Sequence, residues 1–298
     1  MPLADLLGRP AIGRKQFLEW AGHCPGIDPV HHYRALRICW PYLQRAHRNI
    51  LDIGPDPAPW LDTIARFCGS RHQLAGCLQG GTRAADGTPK YSITPVELDI
   101  WSPLAAKDLP ATLPGQGYDL ITALQVVDRL YHPEPFFKAV AKALRPGGTL
   151  VLTLQNVGAC ANIMRLLSGA SVCPELAALV QPSAGQRPLV REYCWRELAN
   201  LALFCDFVPV DHGYYDGAAR DDLSSPQGRR INEAFEPFME HPHQLRGFLY
   251  LLFRRTNGLA MRQYTLYLFR KSPRPTFQYM REQLRQYLQT ISTGKDRK

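Results

Sequence analysis

No run of apolar residues in this chain approaches the roughly 18–20 needed to cross a bilayer. The longest candidate, residues 247–253, is seven residues long and stops at Arg254 and Arg255. The opening stretch, MPLADLLGRPAIGRKQF, lacks the basic start, apolar block and small-residue cleavage site of a secretory leader. Membrane-spanning and exported readings are therefore not expected. The eight cysteines contain no CxxC pair, and the histidines lack the i,i+4 spacing of a zinc site, so no metal is expected. Cysteines scattered in apolar surroundings read as buried small hydrophobes in a reducing compartment, which implies a cytoplasmic protein. Internal repeats and low-complexity tracts are missing as well. One local gap stands out: no Asp or Glu occurs between Asp62 and Asp86.

What is present is an ordinary globular mixture of 45% apolar and 20% charged residues in 298. At roughly 150 residues per domain, that length holds one large α/β domain or two small ones. The formal charge is +9, and the last 28 residues, with seven Lys/Arg against two Asp/Glu, carry +5 of it. This basic tail, read as a helix over 272–298, is either a solvated surface helix or a peripheral contact with acidic lipid or an acidic protein. Binding of nucleic acid through the tail is the least favoured of these readings, since one basic helix is a weak motif.

Apolar strands alternate with amphipathic helices along the main body. Residues 30–47 show helical spacing and lead into a buried strand at 50–53, stopped by Gly54 and Pro55. A helix over 59–67 follows, then strands at 72–78, 92–100 and 118–127. Residues 136–148 read as a helix closed by Pro146, Gly147 and Gly148, before a nearly all-apolar strand at 149–157. Helices at 159–168, 174–180 and 194–207, a strand at 208–215, a helical region at 228–256 and a strand at 262–271 complete the order. The last strand alternates polar and apolar residues, as an edge or antiparallel strand does. This pattern predicts an α/β fold, a Rossmann-like doubly wound and mostly parallel seven-stranded sheet with an antiparallel edge strand. The expected division is a helical lid over 1–48, the sheet domain over 49–271 and the basic helix over 272–298.

Four segments in order carry a family resemblance: ILDIGPDPAPWL (50–61), VELDI (96–100), YDLITALQVVDRLYHPEPFFKAVAKALRPGGTLVLTLQN (118–156) and REYCWRELANLALFCDFVPVDHGYY (191–215). Together they resemble the class I S-adenosylmethionine-dependent methyltransferases, most closely the branch acting on small molecules, glycans and lipids. The resemblance implies S-adenosyl-L-methionine as cofactor, contacted by Asp52 and Gly54 in the first turn and Asp99 after the third strand. Asp56 and Gln125 join this implied set, and Gln79 stands where relatives carry the ribose-binding acid. The first motif is degenerate, with Asp56 and Ala58 at the positions of the second and third glycines. Asp128 and Arg129 replace the Glu-His pair common after strand four. These departures leave two functions open: methyl transfer to an oxygen or nitrogen of a small molecule, glycan or lipid-linked intermediate, or a degenerate scaffold or regulatory subunit.

Two histidines are candidates for a general base. His212 lies at the end of the sixth strand, where the simpler reading is a surface or hydrogen-bonded histidine in a strand-end turn. His132 follows strand four and reads equally as a loop residue before Pro133. For the acceptor, the candidates are His31, Tyr33 and Arg34 in the helix before strand one, Asn156 at the end of strand five, and Tyr214. Asn156 has the simpler reading of a helix cap. The His-Tyr-Arg run fits an anionic substrate or a partly exposed covering helix.

Overall fold

The computed structural model describes residues 13–24, 28–44, 47–54, 58–68, 72–78, 95–97, 117–167, 169, 171–172, 189–215 and 264–272. Two helices come first, α1 (Arg14–Ala21) and α2 (Pro29–Leu43). Helix α2 starts where Pro29 presets the first turn and the Asp28 carboxylate accepts from the backbone N–H groups of Val30 and His31, at 3.0 and 2.9 Å. Strand β1 (Asn49–Ile53), α3 (Ala58–Cys68), β2 (Gln73–Leu78), β3 (Pro95–Glu97) and β4 (Tyr118–Leu124) follow. After a single 3-10 turn at Val127–Arg129 come α4 (Pro133–Ala143) and β5 (Leu144–Gln155). The remaining elements are α5 (Cys160–Leu167), α6 (Trp195–Phe204), β6 (Phe207–Tyr215) and β7 (Tyr264–Lys271).

The strands form one sheet in the order β3-β2-β1-β4-β5-β7-β6. Strands β1 to β5 pair in parallel, while β7 runs antiparallel to both β5 and β6. The antiparallel strand therefore lies inside the sheet, and β6 is the edge, contrary to the edge position that the alternation suggested. The reason is that the tyrosines counted as polar bury their ring bodies. Tyr264, Leu266 and Leu268 face one side of the sheet while Tyr267 and Phe269 face the other, and all five are buried. Among the described residues β6 pairs with β7 alone, and its Val208 and Val210 are exposed.

One core lies on each face. The first gathers Phe136, Phe137 and Val140 of α4 and Leu198 and Ala202 of α6 against Leu150, Leu152, Phe207 and Phe269. The second packs Phe17 of α1, Leu36 and Trp40 of α2 and Trp60, Leu61 and Ile64 of α3 against Ile50, Val151, Tyr215 and Leu266. Helices α1 and α2 thus share a core with the sheet.

The Leu-Arg-Pro-Gly-Gly segment is a wide bulge at the start of β5. Tyr118 pairs with Leu144, then Leu120 with Thr149, so residues 145–148 stand opposite the single residue Asp119. Gly147 has φ +75°, and a Cβ at Gly148 would meet the Arg145 and Tyr118 carbonyl oxygens at 2.9 and 3.0 Å. Asp119 binds this corner together, accepting from Arg48 at 2.7 Å and Arg145 at 2.5 Å. The expected helices over 174–180, 228–256 and 272–298 lie outside the described residues.

Candidate active site

Ligands of open parallel sheets bind beyond the carboxyl ends of strands, where strand order reverses. Here that point lies between β1 and β4, since the chain winds outward from β1 to β2 and β3 and then returns to β4. Asp52 and Gly54 stand at the end of β1 and Gln125 at the end of β4. Asp52 is buried and pairs in register with Thr122. The Thr122 hydroxyl donates to Asp52 Oδ1 at 2.5 Å and accepts from Trp60 Nε1 at 2.8 Å. This chain orients the carboxylate from beneath. Gly54 adds no side chain to this turn: among the described residues a Cβ there would find only Asp52 Oδ2, at 3.8 Å.

Gln125 breaks β4 with φ 56°, held there by its N–H to the Thr153 carbonyl at 2.8 Å. Its side-chain amide nitrogen donates to His31 Nε2 at 2.7 Å. With that donation the neutral ring carries its proton on Nδ1 and gives it to the Tyr215 hydroxyl, at 2.6 Å. Burial holds the His31 pKa below its ordinary value, against the pull of Asp28, whose Oδ2 lies 3.5 Å from Nε2. The ring also stands edge-on to Tyr264, with centroids 4.3 Å apart. The first turn of α2 is thereby fastened across the carboxyl ends of β4 and β6.

The neighbouring polar cluster lies at the end of β5. Asp128 is fully buried, and burial pushes its carboxyl up to about 6 against the charge of Arg129. Its backbone carbonyl accepts from Val190 and Arg191 at 2.8 and 3.0 Å. Glu192 is pushed up to about 7 by burial and by the Asp128 charge, against a hydrogen bond from Asn162. The Asn162 amide also donates to the Asn156 carbonyl at 3.2 Å, joining the segment before α6 to the strand ends.

The structure brings Asp52, Gly54, Gln125 and His31 to one mouth. Asn156 is buried beside it, bridged to Tyr193, with its side chain accepting from the Gly158 N–H at 3.1 Å. Arg34 lies one turn further along α2, and Tyr33 turns into the core against Phe17, ring centroids 5.3 Å apart. His212 sits on the opposite face of the sheet, stacked on Trp195 at 4.1 Å and 10°. Tyr214 shares that face, edge-on to His212. His132 is exposed at the residue preceding α4 and makes no side-chain cap there. Asp56, Gln79 and Asp99 lie outside the described residues. Sequence reasoning missed Thr122, Trp60 and Tyr215. Period-two alternation put Tyr214 and Tyr215 on opposite faces of the strand, and only the packing of α2 shows that Tyr215 faces it.

A family model described as a methyltransferase domain matches residues 29–185, just over half of the chain. The chain belongs to this methyltransferase domain family. The match runs from the start of α2, through the switch point, to beyond α5, so Asp52, Gln125 and His31 fall within it and β6 and β7 outside. No curated protein matches the chain by sequence. Among solved structures it is similar to a cyclopropane-fatty-acyl-phospholipid synthase-like protein from Lactobacillus casei, at 13% identity and TM-score 0.49, covering 91% of this chain and 97% of that one. An S-adenosylmethionine-dependent methyltransferase from Mesorhizobium loti aligns at 15% identity and TM-score 0.47, over 78% and 97%. The 1,6-didemethyltoxoflavin-N1-methyltransferase of Burkholderia thailandensis, solved with bound 1,6-didemethyltoxoflavin and S-adenosylhomocysteine, aligns at 16% identity and TM-score 0.43, over 87% of each chain.

Proposed function

We propose that this methyltransferase-family chain transfers a methyl group from S-adenosyl-L-methionine to an oxygen or nitrogen of a small molecule, glycan or lipid-linked intermediate. The observation that carries this reading is the buried Asp52 carboxylate set beside the side-chain-free Gly54 turn, with the Gln125 amide on the neighbouring strand end at the switch point. These groups suit the cofactor's amino-acid end: a carboxylate for its ammonium and an amide that both donates and accepts. The cofactor supplies the electrophilic methyl group. The protein's part is to align the acceptor, exclude water and receive a proton.

His31 is the imidazole we assign to that last role, because its neutral ring is fastened over the mouth by Gln125 and Tyr215. An acceptor that displaces the Gln125 amide exposes the Nε2 lone pair to its hydroxyl or ammonium proton. His212 and His132 are the alternative bases for an acceptor reaching in from the α6 side. Helices α1 and α2 act in this reading as the N-terminal lid, and the basic tail as a peripheral contact of a cytoplasmic protein. Among the described residues no helix is long and apolar enough to cross a membrane.

Calorimetric titration with S-adenosylmethionine and S-adenosylhomocysteine tests the proposal. Binding with a Kd on the order of micromolar, lost in Asp52→Ala and Asp99→Ala, supports the enzyme. Absence of heat at millimolar ligand sinks it and leaves the scaffold reading, which the lack of an acid between Asp62 and Asp86 favours.

A further inference from the structure

Helix α2 runs from the mouth down the flank of the sheet, and a groove opens between it and edge strand β6. The groove holds about 50 Å³ and is lined by Arg34, Arg37 and Ile38 from α2, Gly213, Tyr214 and Tyr215 from β6, and Leu266 from β7. We infer that this groove is a subsite for an anionic group, a phosphate or carboxylate, carried by the methyl acceptor. The inference rests on the methyltransferase reading and adds a substrate class to it.

Three features support the assignment. Two guanidinium groups three residues apart line the groove from one helix wall, and no carboxylate is among the described lining residues. Arginine forks match the flat oxygen pairs of carboxylate and phosphate and keep their charge at any working pH. The Arg37 guanidinium has no hydrogen-bond or ion-pair partner among the described residues.

Second, a glycine lines the strand wall opposite the arginines. Gly213 pairs with Leu266, and Tyr215 with Tyr264, so position 213 faces α2 as its partner does. A side chain added there would project toward α2 and its arginines. Third, groove and mouth share Tyr215. Arg34 acts electrostatically on Tyr215, and the Tyr215 hydroxyl is the partner of His31. Six residues of α-helix separate His31 from Arg37, about 9 Å along the axis. An acceptor anchored by its anion in the groove would thus reach the base from the side, over a span of a few bonds.

The test uses the full chain, titrated calorimetrically with inorganic phosphate, with acetate, and separately with S-adenosylhomocysteine. Arg34→Ala/Arg37→Ala and Gly213→Leu are each expected to weaken phosphate or acetate binding about tenfold or more. Both are expected to leave S-adenosylhomocysteine binding within about twofold, which also shows that they fold. Equal anion affinity in wild type and in the double variant overturns the subsite, as does silence of the wild type toward both anions. Failure of the enzyme reading is separable, since it appears as loss of the S-adenosylhomocysteine signal in wild type with anion binding intact. Sedimentation with phosphatidylglycerol and phosphatidylcholine vesicles distinguishes the sources. A parallel loss of phosphatidylglycerol binding in the double variant assigns a lipid headgroup, and unchanged vesicle binding assigns a soluble acid.

Discussion

His31 and Tyr215 stand 184 residues apart in the chain and are hydrogen-bonded, Nδ1 to hydroxyl, at 2.6 Å. This bond ties the first turn of α2 to the end of edge strand β6. Tyr215→Phe keeps the ring, which stacks on Tyr264, but removes the hydroxyl and strands a buried ring nitrogen. The expected loss is about 1–2 kcal/mol, read from the urea midpoint. An unchanged midpoint would show that the bond does not hold the helix in place.

The Asp128 carboxyl gives a pH-dependent prediction. Its ordinary value is 3.8 and its folded value about 6, raised mainly by burial, so the folded state binds the proton more tightly than the unfolded chain. Stability from this group is full below 3.8 and is lost as pH rises through 6. Asp128→Asn should therefore stabilise the protein at pH 8 by up to about 3 kcal/mol and change little near pH 4. Denaturation curves at the two pH values check it, and a gain of equal size at both would refute the burial argument.

His32 acts in the opposite sense. Its ring lies parallel to Trp60, 9° off at 5.7 Å, and burial brings its pKa from 6.5 down to about 4. Folding is then weakened as pH falls from 6.5 through 4, by about 3 kcal/mol in all. His32→Phe should flatten that acid limb, measured as Tm against pH. An acid limb unaltered by the substitution would place its origin in other groups.

The glycine pair at the β5 bulge is steric in origin. Adding a methyl at Gly148 puts it 3.0 Å from Leu144 Cδ2 as well as against two backbone oxygens. Gly148→Ala is expected to cost about 2–3 kcal/mol, seen as a lowered Tm. The same exchange at the exposed position 13, where a Cβ would meet nothing within 4 Å, is the control.

Much of the fold was legible because its signals are local. Buried runs such as Leu150–Leu154, helix starts such as Asp28-Pro29, and the Pro146-Gly147-Gly148 break all act over a few residues. Boundaries shifted where tertiary pairing competed: Leu144 looked like the end of a helix, but its pairing with Tyr118 makes it the start of β5. Asp52 and Gly54 were legible as a strand-end turn. The partners that orient Asp52, Thr122 on β4 and Trp60 on α3, were not, because each is about 60 to 70 positions from what it touches or farther.

The sequence by itself determined the alternation of strands and helices, the glycine and proline positions of the turns, and the charge of the tail, since those follow from side-chain chemistry within a few residues. Tertiary structure alone decided that β7 enters the sheet between β5 and β6 and that Tyr215, not Tyr214, faces α2. It also decided that His31 rather than His212 meets Gln125. Strand order and facing depend on which distant surfaces bury each other, and that free energy exists only once both faces of the sheet are covered.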